Sequence, residues 1–327
     1  METIDILNLL EEGRTEELRT ELNEMLLTDV IELIHDLPAE EKIIVFDLLE
    51  TPLALKTFKL VEANDQKELI RSLPHEKAAH LLNDLAPDDR TAFFEELPST
   101  VVKELLKLLT NEERAITLSL LGYPEHSVGR LMTPDYLAVK KEWTVQEVLD
   151  YVRKNGHDSE TVNVIYVIDD NGVLIDDIRI REILFVAPET TVAELMDDRF
   201  IALSVTDDEE MAIGIFRKNN RFAIPVIDAA NILIGIVTID DVLRLAQEED
   251  TEDIQKIGGV EALEEPYMKV PFLKLMQKRA GWLIVLFLGE MFTATAMAYF
   301  DDEISKAVVL VLFIPLIISS GGNSGSQ

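Results

Sequence analysis

Apolar positions recur every three or four residues along 1–127, the period of helices packed by one face. Leucine-rich runs end in similar punctuation: LIHDLP at Pro38, LIRSLP at Pro74, LLNDLAP at Pro87 and FFEELP at Pro98. A new helix start follows each, as in Pro87-Asp88-Asp89-Arg90, where a proline and acids suit a first turn. Leu105, Leu106, Leu108 and Leu109 continue the apolar facing. Short helices at irregular intervals predict a curved stack, an all-α helical-repeat N domain over 1–127. Its acids, such as Asp84, Asp88, Asp89, Glu95 and Glu96, are by themselves expected to face solvent. Tyr123-Pro124-Glu125-His126-Ser127 reads as the linker out of the domain.

From Val128 the pattern changes to alternating strands and helices, and it repeats. Leu131-Met132 recurs as Leu195-Met196, and Val152-Arg153-Lys154-Asn155 as Phe216-Arg217-Lys218-Asn219, both 64 residues on. Ile165-Tyr166-Val167-Ile168-Asp169 returns as Ile224-Pro225-Val226-Ile227-Asp228, the second copy being five residues shorter. Two matching α/β units, about 128–190 and 191–238, are expected to pack as a pseudo-symmetric pair with a cleft between them.

Residues 239–259 form an amphipathic helix by spacing, through Ile239, Val242, Leu243, Ala246, Ile254 and Ile257, stopped by Gly258-Gly259. Its other positions carry Asp240, Asp241, Glu248, Glu249, Asp250, Glu252 and Asp253 against Arg244 and Lys256. Glu248 with Glu252, and Glu249 with Asp253, are like charges four apart, which weaken a helix. Such a helix is either a solvated acidic face or one held together by a counter-ion.

Residues 260–279 mix apolar side chains with Lys269, Lys274, Lys278 and Arg279, as an interfacial segment does. Residues 280–300 are largely apolar and long enough to span a bilayer. Glu290 lies inside that stretch, and an acid at membrane depth is a functional-site expectation. A second span starts over 307–327 and stops at Gly321-Gly322-Asn323-Ser324-Gly325-Ser326-Gln327, so the chain reads as the front of a longer protein. Basic residues before the first span and acids after it place the N-terminus in the cytoplasm.

Charge narrows the partners. The chain carries 62 acids against 30 lysines and arginines, a formal charge of −32 over 327 residues. That excludes nucleic-acid binding through a basic surface and favours a cation. There is no cysteine, hence no disulfide or thiolate metal site. The five histidines are scattered, with His75 and His80 the one close pair. No nucleophile–base arrangement stands out, and no Gly-x-x-x-x-Gly-Lys loop is present, so neither an enzyme nor an ATP-driven pump is expected.

The second α/β copy ends in Gly235-Ile236-Val237-Thr238-Ile239-Asp240-Asp241. Paired units of this length ending in Gly-x-x-Thr-x-x-Asp resemble a tandem CBS (Bateman) module. The resemblance implies a cleft for an adenine nucleotide, with Thr238 and Asp241 on the ribose. The first copy departs from the pattern, with Asp176 for the glycine and Arg179 for the threonine, so at most one complete nucleotide site is expected. Arg181 and Glu182 stand where that family often places phosphate- and ribose-contacting groups.

The order of helical stack, CBS pair, acidic connecting helix and hydrophobic spans ending Gly-Gly-Asn-Ser-Gly-Ser-Gln is similar to the MgtE family of magnesium channels and transporters, over the whole chain. The resemblance implies a homodimer in the cell's inner (plasma) membrane, its N-terminal domains cytoplasmic and its pore on the dimer axis. Mg2+ held between N domain, CBS pair and connecting helix would shut the pore, with ATP or another adenine nucleotide as regulator. It carries metal roles onto Asp241, Glu249, Glu252 and Asp253, onto Glu209-Glu210, and onto Asp88 and Asp89, with Arg244 standing where some members have an aspartate ligand. Mg2+ suits diffuse carboxylates better than Ca2+, whose loop spacing Asp169-Asp170-Asn171-Gly172 fails. The competing readings are a membrane-anchored nucleotide-sensing regulator without a pore of its own, and a helical-repeat scaffold whose acids serve solubility.

Overall fold

The computed structural model describes the backbone of residues 12–257 and 272–300, with isolated positions at 6, 9, 10, 313, 316, 320 and 321. Two compact units result, Met1–Gln247 and Glu248–Gln327. Apart from the isolated positions 313, 316, 320 and 321, the expected second span over 307–327, with the closing Gly-Gly-Asn-Ser-Gly-Ser-Gln, lies outside the described residues.

The helical part of the first unit includes, among the described residues, α1 (Thr15–Glu24), α2 (Leu27–Asp36), α3 (Ala39–Asp47), α4 (Thr51–Leu60), α5 (Ala63–Ser72), α6 (His75–Asp84), α7 (Pro87–Glu95), α8 (Ser99–Leu105) and α9 (Asn111–Leu120). The Leu-Pro punctuation builds the stack. A proline crowds the residue before it out of the helical region, so Leu37 and Leu73 turn extended with ψ of 146° and 144°. Each of these leucines then drops into the core while Pro38 or Pro74 opens the next helix. One apolar cluster runs through the stack. Within it the Phe58 ring of α4 meets the Phe93 ring of α7 edge to face, centroids 5.2 Å apart. That contact packs the C-terminal turn of α4 against α7, and the next residue, Lys59, reaches Asp89 in the first turn of α7.

After the short helix α10 (Val128–Leu131) come two sheets of matching topology. In one, β1 (Ala138–Val139) runs parallel to β2 (Val164–Ile168), and β3 (Leu174–Arg179) antiparallel to β2. In the other, β4 (Leu203–Ser204), β5 (Ala223–Ile227) and β6 (Leu233–Thr238) repeat that order. Helices α11 (Val145–Asn155), α12 (Ile180–Leu184), α13 (Val192–Leu195) and α14 (Glu209–Asn219) complete the copies. Capping boxes start α11 at Thr144 and α13 at Thr191, each closed by a glutamate three residues on.

Each copy turns between its last two strands on the same device. Asp169 Oδ1 accepts from the amides of Asn171 and Val173, at 2.8 and 2.9 Å. Asp228 Oδ1 accepts from Ala230 and Ile232 at the same distances. The left-handed position is Gly172 in one turn and Asn231 in the other. The turns also bond each other: Leu174 N–H donates to the Asn231 carbonyl and Leu233 N–H to the Gly172 carbonyl, both at 3.0 Å.

Strand β6 runs directly into α15 (Ile239–Ile257). In the second unit, α16 spans Phe272–Tyr299, with Leu283, Ile284, Phe287 and Phe292 exposed. Among the described residues no helix is long and apolar enough to cross a membrane.

Candidate functional site

The site forms where the start of α7 meets the start of α15. Pro87 is the first residue of α7, so Asp88 and Asp89 fall in its first turn, where unpaired amides favour acids. Arg90 fixes that turn. Its guanidinium is fully buried, donates to Thr117 Oγ1 at 2.8 Å and to the carbonyls of Leu82 and Leu85 at 3.0 and 3.2 Å, and pairs with Glu113. Arg90 thus ties the end of α6 and the side of α9 to α7.

On the facing element, Asp240 and Asp241 open α15. The Thr238 hydroxyl lies 2.6 Å from both Asp241 Oδ2 and Asp240 Oδ1. One oxygen from each of Asp88, Asp89 and Asp241 lies within 4.8 Å of the other two, close enough to share one cation. Both carboxylate oxygens of Asp88 are buried without a hydrogen-bond partner among the described residues. Lys59 Nζ, from the last turn of α4, is 3.1 Å from Asp89 and 3.4 Å from each of Asp240 and Asp241. Arg244, one turn into α15, is 3.0 Å from Asp241 and 3.4 Å from Asp89.

Crowding of like charge shows in the titration of these groups. Burial, then Asp241, Asp89 and Glu160, hold the Asp88 carboxyl well above the usual carboxylate range. Burial also raises Asp89, against the pull of Lys59 and Arg244. Burial raises Glu160, and Asp241, Asp89 and Asp240 add to it. Burial would lower Lys59, but Asp241 and Asp89 outweigh it and keep the ammonium charged. Asp240 is less enclosed; its hydrogen bond to Thr238 and the charge of Lys59 outweigh its burial and lower it. An all-oxygen donor set with one unsatisfied carboxylate fits a hard divalent cation that keeps much of its water.

Asp88, Asp89 and Asp241 therefore come together as metal candidates. Other expected site residues do not join them. Glu209 is taken by the linker: His126 Nδ1 lies 2.7 Å from its Oε1, and its own amide donates to the His126 carbonyl at 3.0 Å. Glu210 is exposed beside it. The expected ribose pair is engaged within the protein. Thr238 and Asp241 are 5% and 1% exposed and turned to each other under α7, so they present nothing to a sugar in this arrangement. Arg181 and Glu182 are exposed on α12. Glu249 is half-buried on α15, whereas the side chains of Glu252 and Asp253 lie outside the described residues. Glu290 is exposed on α16.

Lys59, Glu160 and Asp240 belong to the cluster without having been singled out as site residues. Lys59 sits in an ordinary amphipathic helix and Glu160 in a loop, and only the fold places them. A second grouping was equally hidden. His35 Nδ1 lies 3.5 Å from Glu62 and 3.7 Å from Asp65, and Lys42 pairs with Asp65 from the other side.

The profile of the MgtE intracellular N domain matches residues 25–126, and that of the CBS domain matches 128–189 and 192–248. The chain is 32% identical to the magnesium transporter MgtE of Thermus thermophilus over 99% of its own length and 73% of that protein's. It is 25% identical to that of Bacillus subtilis, over 98% and 71%. Its structure is similar to the crystal structure of the cytosolic domain of the Mg2+ channel MgtE in complex with ATP, with a TM-score of 0.72 at 31% identity over 75% of this chain and all of that one. The chain belongs to the MgtE family of magnesium transporters.

Proposed function

We propose that this chain is the sensing and gating part of a magnesium transporter, and that Mg2+ itself is the signal. The observation that carries the reading is the Asp88 carboxylate, buried beside Asp89 and Asp241 with neither oxygen hydrogen-bonded among the described residues. Without a divalent ion the three carboxylates repel, and the docking of α7 on the start of α15 is weakened. A divalent cation among them stabilises the docked arrangement by mass action, about 2.7 kcal/mol at a hundredfold excess over its dissociation constant. Docking is the closed state of the gate. Glu249, Glu252 and Asp253 carry further sensing carboxylates on the same helix.

The remaining parts of the reading follow the family. The division into N domain 1–127, CBS pair 128–238, connecting helix 239–259 and membrane part belongs to it. So does the span over 280–300, supported by the exposed apolar side chains of α16. The protein sits in the plasma membrane with its N-terminal domains in the cytoplasm and acts as a homodimer. Met211, exposed on α14, is a candidate for that contact. The CBS pair takes an adenine nucleotide, as the related cytosolic domain does with ATP.

The test is thermal. The melting temperature of the full chain is expected to rise with Mg2+ at constant ionic strength and not with Na+. Asp88→Asn together with Asp241→Asn is expected to remove the rise. If Na+ reproduces the stabilisation, the acids are a solvated face and the reading is wrong.

A further inference from the structure

Mg2+ is not the only cation that reaches this cluster, because the chain supplies two of its own. We infer that Lys59 and Arg244 are tethered counter-cations that hold α7 against α15 when Mg2+ is scarce, and that Lys59 competes with the divalent ion for the same carboxylates. The inference rests on the sensing reading above and concerns how that site is set.

Lys59 reaches acids on both sides of the contact at once, Asp89 on α7 and Asp240 and Asp241 on α15. Arg244 does the same from α15, joining Asp241 to Asp89. Neither cation is a loose surface charge. The Lys59 side chain is 19% exposed, and its neighbour Phe58 is locked against Phe93. An ammonium is a compact charge with three donors, so it can face three carboxylates in the volume a hydrated ion would take.

The charge balance says what this does. Asp88, Asp89, Glu160, Asp240 and Asp241 face two protein cations, which leaves the pocket negative but far less so than the acids alone. The remainder falls on Asp88, whose buried oxygens have no hydrogen-bond partner among the described residues. The docked state therefore keeps part of its attraction without metal. A divalent ion entering at Asp88 gains Asp89 and Asp241 only as far as Lys59 gives them up. Lys59 thereby sets the concentration at which the ion is felt.

The experiment is hydrogen exchange of residues 87–95 in the full chain in detergent, in EDTA and in saturating Mg2+. Lys59→Met keeps the stem and removes the charge, whereas Lys59→Arg keeps the charge. In EDTA, Lys59→Met is expected to exchange about tenfold faster than the wild type. Mg2+ is expected to return it to wild-type protection, and Lys59→Arg to behave as wild type throughout. Lys59→Met matching the wild type in EDTA overturns the inference. So does a loss that Mg2+ fails to reverse, since Lys59 is then a structural brace. If Mg2+ protects neither the wild type nor Lys59→Met, the sensing reading falls and takes the inference with it. If Mg2+ protects the wild type through Asp88 while Lys59→Met is silent in EDTA, the tethered cation alone falls.

Discussion

Asp176 and Gly235 stand at the same step of the two α/β copies: Asp176 pairs with Val167 across β3 and β2, and Gly235 with Val226 across β6 and β5. Beside Gly235 the backbone of Thr133 lies against the strand, exchanging hydrogen bonds with Ile236 at 2.9 Å in both directions. Beside Asp176 that backbone exchange is replaced by the carboxylate. Asp176 Oδ2 accepts from the amides of Asp197 and Asp198 at 2.9 and 3.1 Å. Asp197 follows the repeated Leu-Met pair as Thr133 does.

Two substitutions test this exchange. A Cβ at position 235 would sit 2.9 Å from the Thr133 carbonyl and 2.7 Å from Met132 Sδ, so Gly235→Ala is expected to destabilise by about 1–3 kcal/mol. Asp176→Ala strands the amides of Asp177, Asp197 and Asp198 and is expected to cost about 1–3 kcal/mol. Urea unfolding of each variant reads both. A neutral Asp176→Ala means the amides find water instead.

Arg90 is a fully buried cation whose partners lie on two neighbouring helices, α6 and α9. Arg90→Met leaves Glu113 and two helix-end carbonyls without their donor. It is expected to lower stability by about 3–5 kcal/mol and to loosen the Asp88–Asp89 turn. Thermal unfolding measures the first effect and a weaker Mg2+ response the second.

Asp88 gives a pH signature in EDTA. Its folded-state pKa is raised, so the folded state holds that proton more tightly than the unfolded chain. Such a group favours folding below its raised pKa. The advantage shrinks as pH rises from the ordinary carboxylate range through that raised value, and above it the buried charge opposes folding. Metal-free protein is expected to melt higher in mild acid than at neutral pH. Asp88→Asn is expected to flatten this slope and to raise neutral-pH stability by about 1–3 kcal/mol, leaving the smaller slope from Asp89 and Glu160. An unchanged slope in Asp88→Asn counts against the buried, unpaired carboxylate.

Thr238 separates two roles. If its hydroxyl serves to orient Asp241, Thr238→Val weakens Mg2+ binding by about fivefold and leaves ATP binding alone. If it contacts a ribose, the losses reverse. The first outcome is expected, and titration calorimetry with each ligand distinguishes them.

The helical stack could be read from the sequence because Leu-Pro steps act locally: the proline disfavours the helical region for Leu37 and Leu73, which end their helices extended. The repeat was legible because its turns, at Asp169 and Asp228, use the same side chain in the same way. The cluster was legible by half. Asp88, Asp89 and Asp241 carry visible charge at helix starts, whereas Lys59 owes its place to Phe58 meeting Phe93 across the stack. The Gly-x-x-Thr-x-x-Asp spacing does not by itself separate a ribose site from a local contact. A strand-to-helix turn puts a hydroxyl and an acid within reach of each other whether or not a sugar comes between them.

The paired amide bonds between the two turns, Leu174 to Asn231 and Leu233 to Gly172, act like the pins of a hinge driven through both leaves. Neither α/β copy can tilt alone without pulling a backbone bond apart on each side. A displacement applied at Asp241 therefore turns both copies as one stiff rocker. The Tyr123–Ser127 linker rides with this rocker, because the Glu209 carboxylate holds the His126 imidazole and the Tyr123 side chain packs against the second copy's apolar cluster.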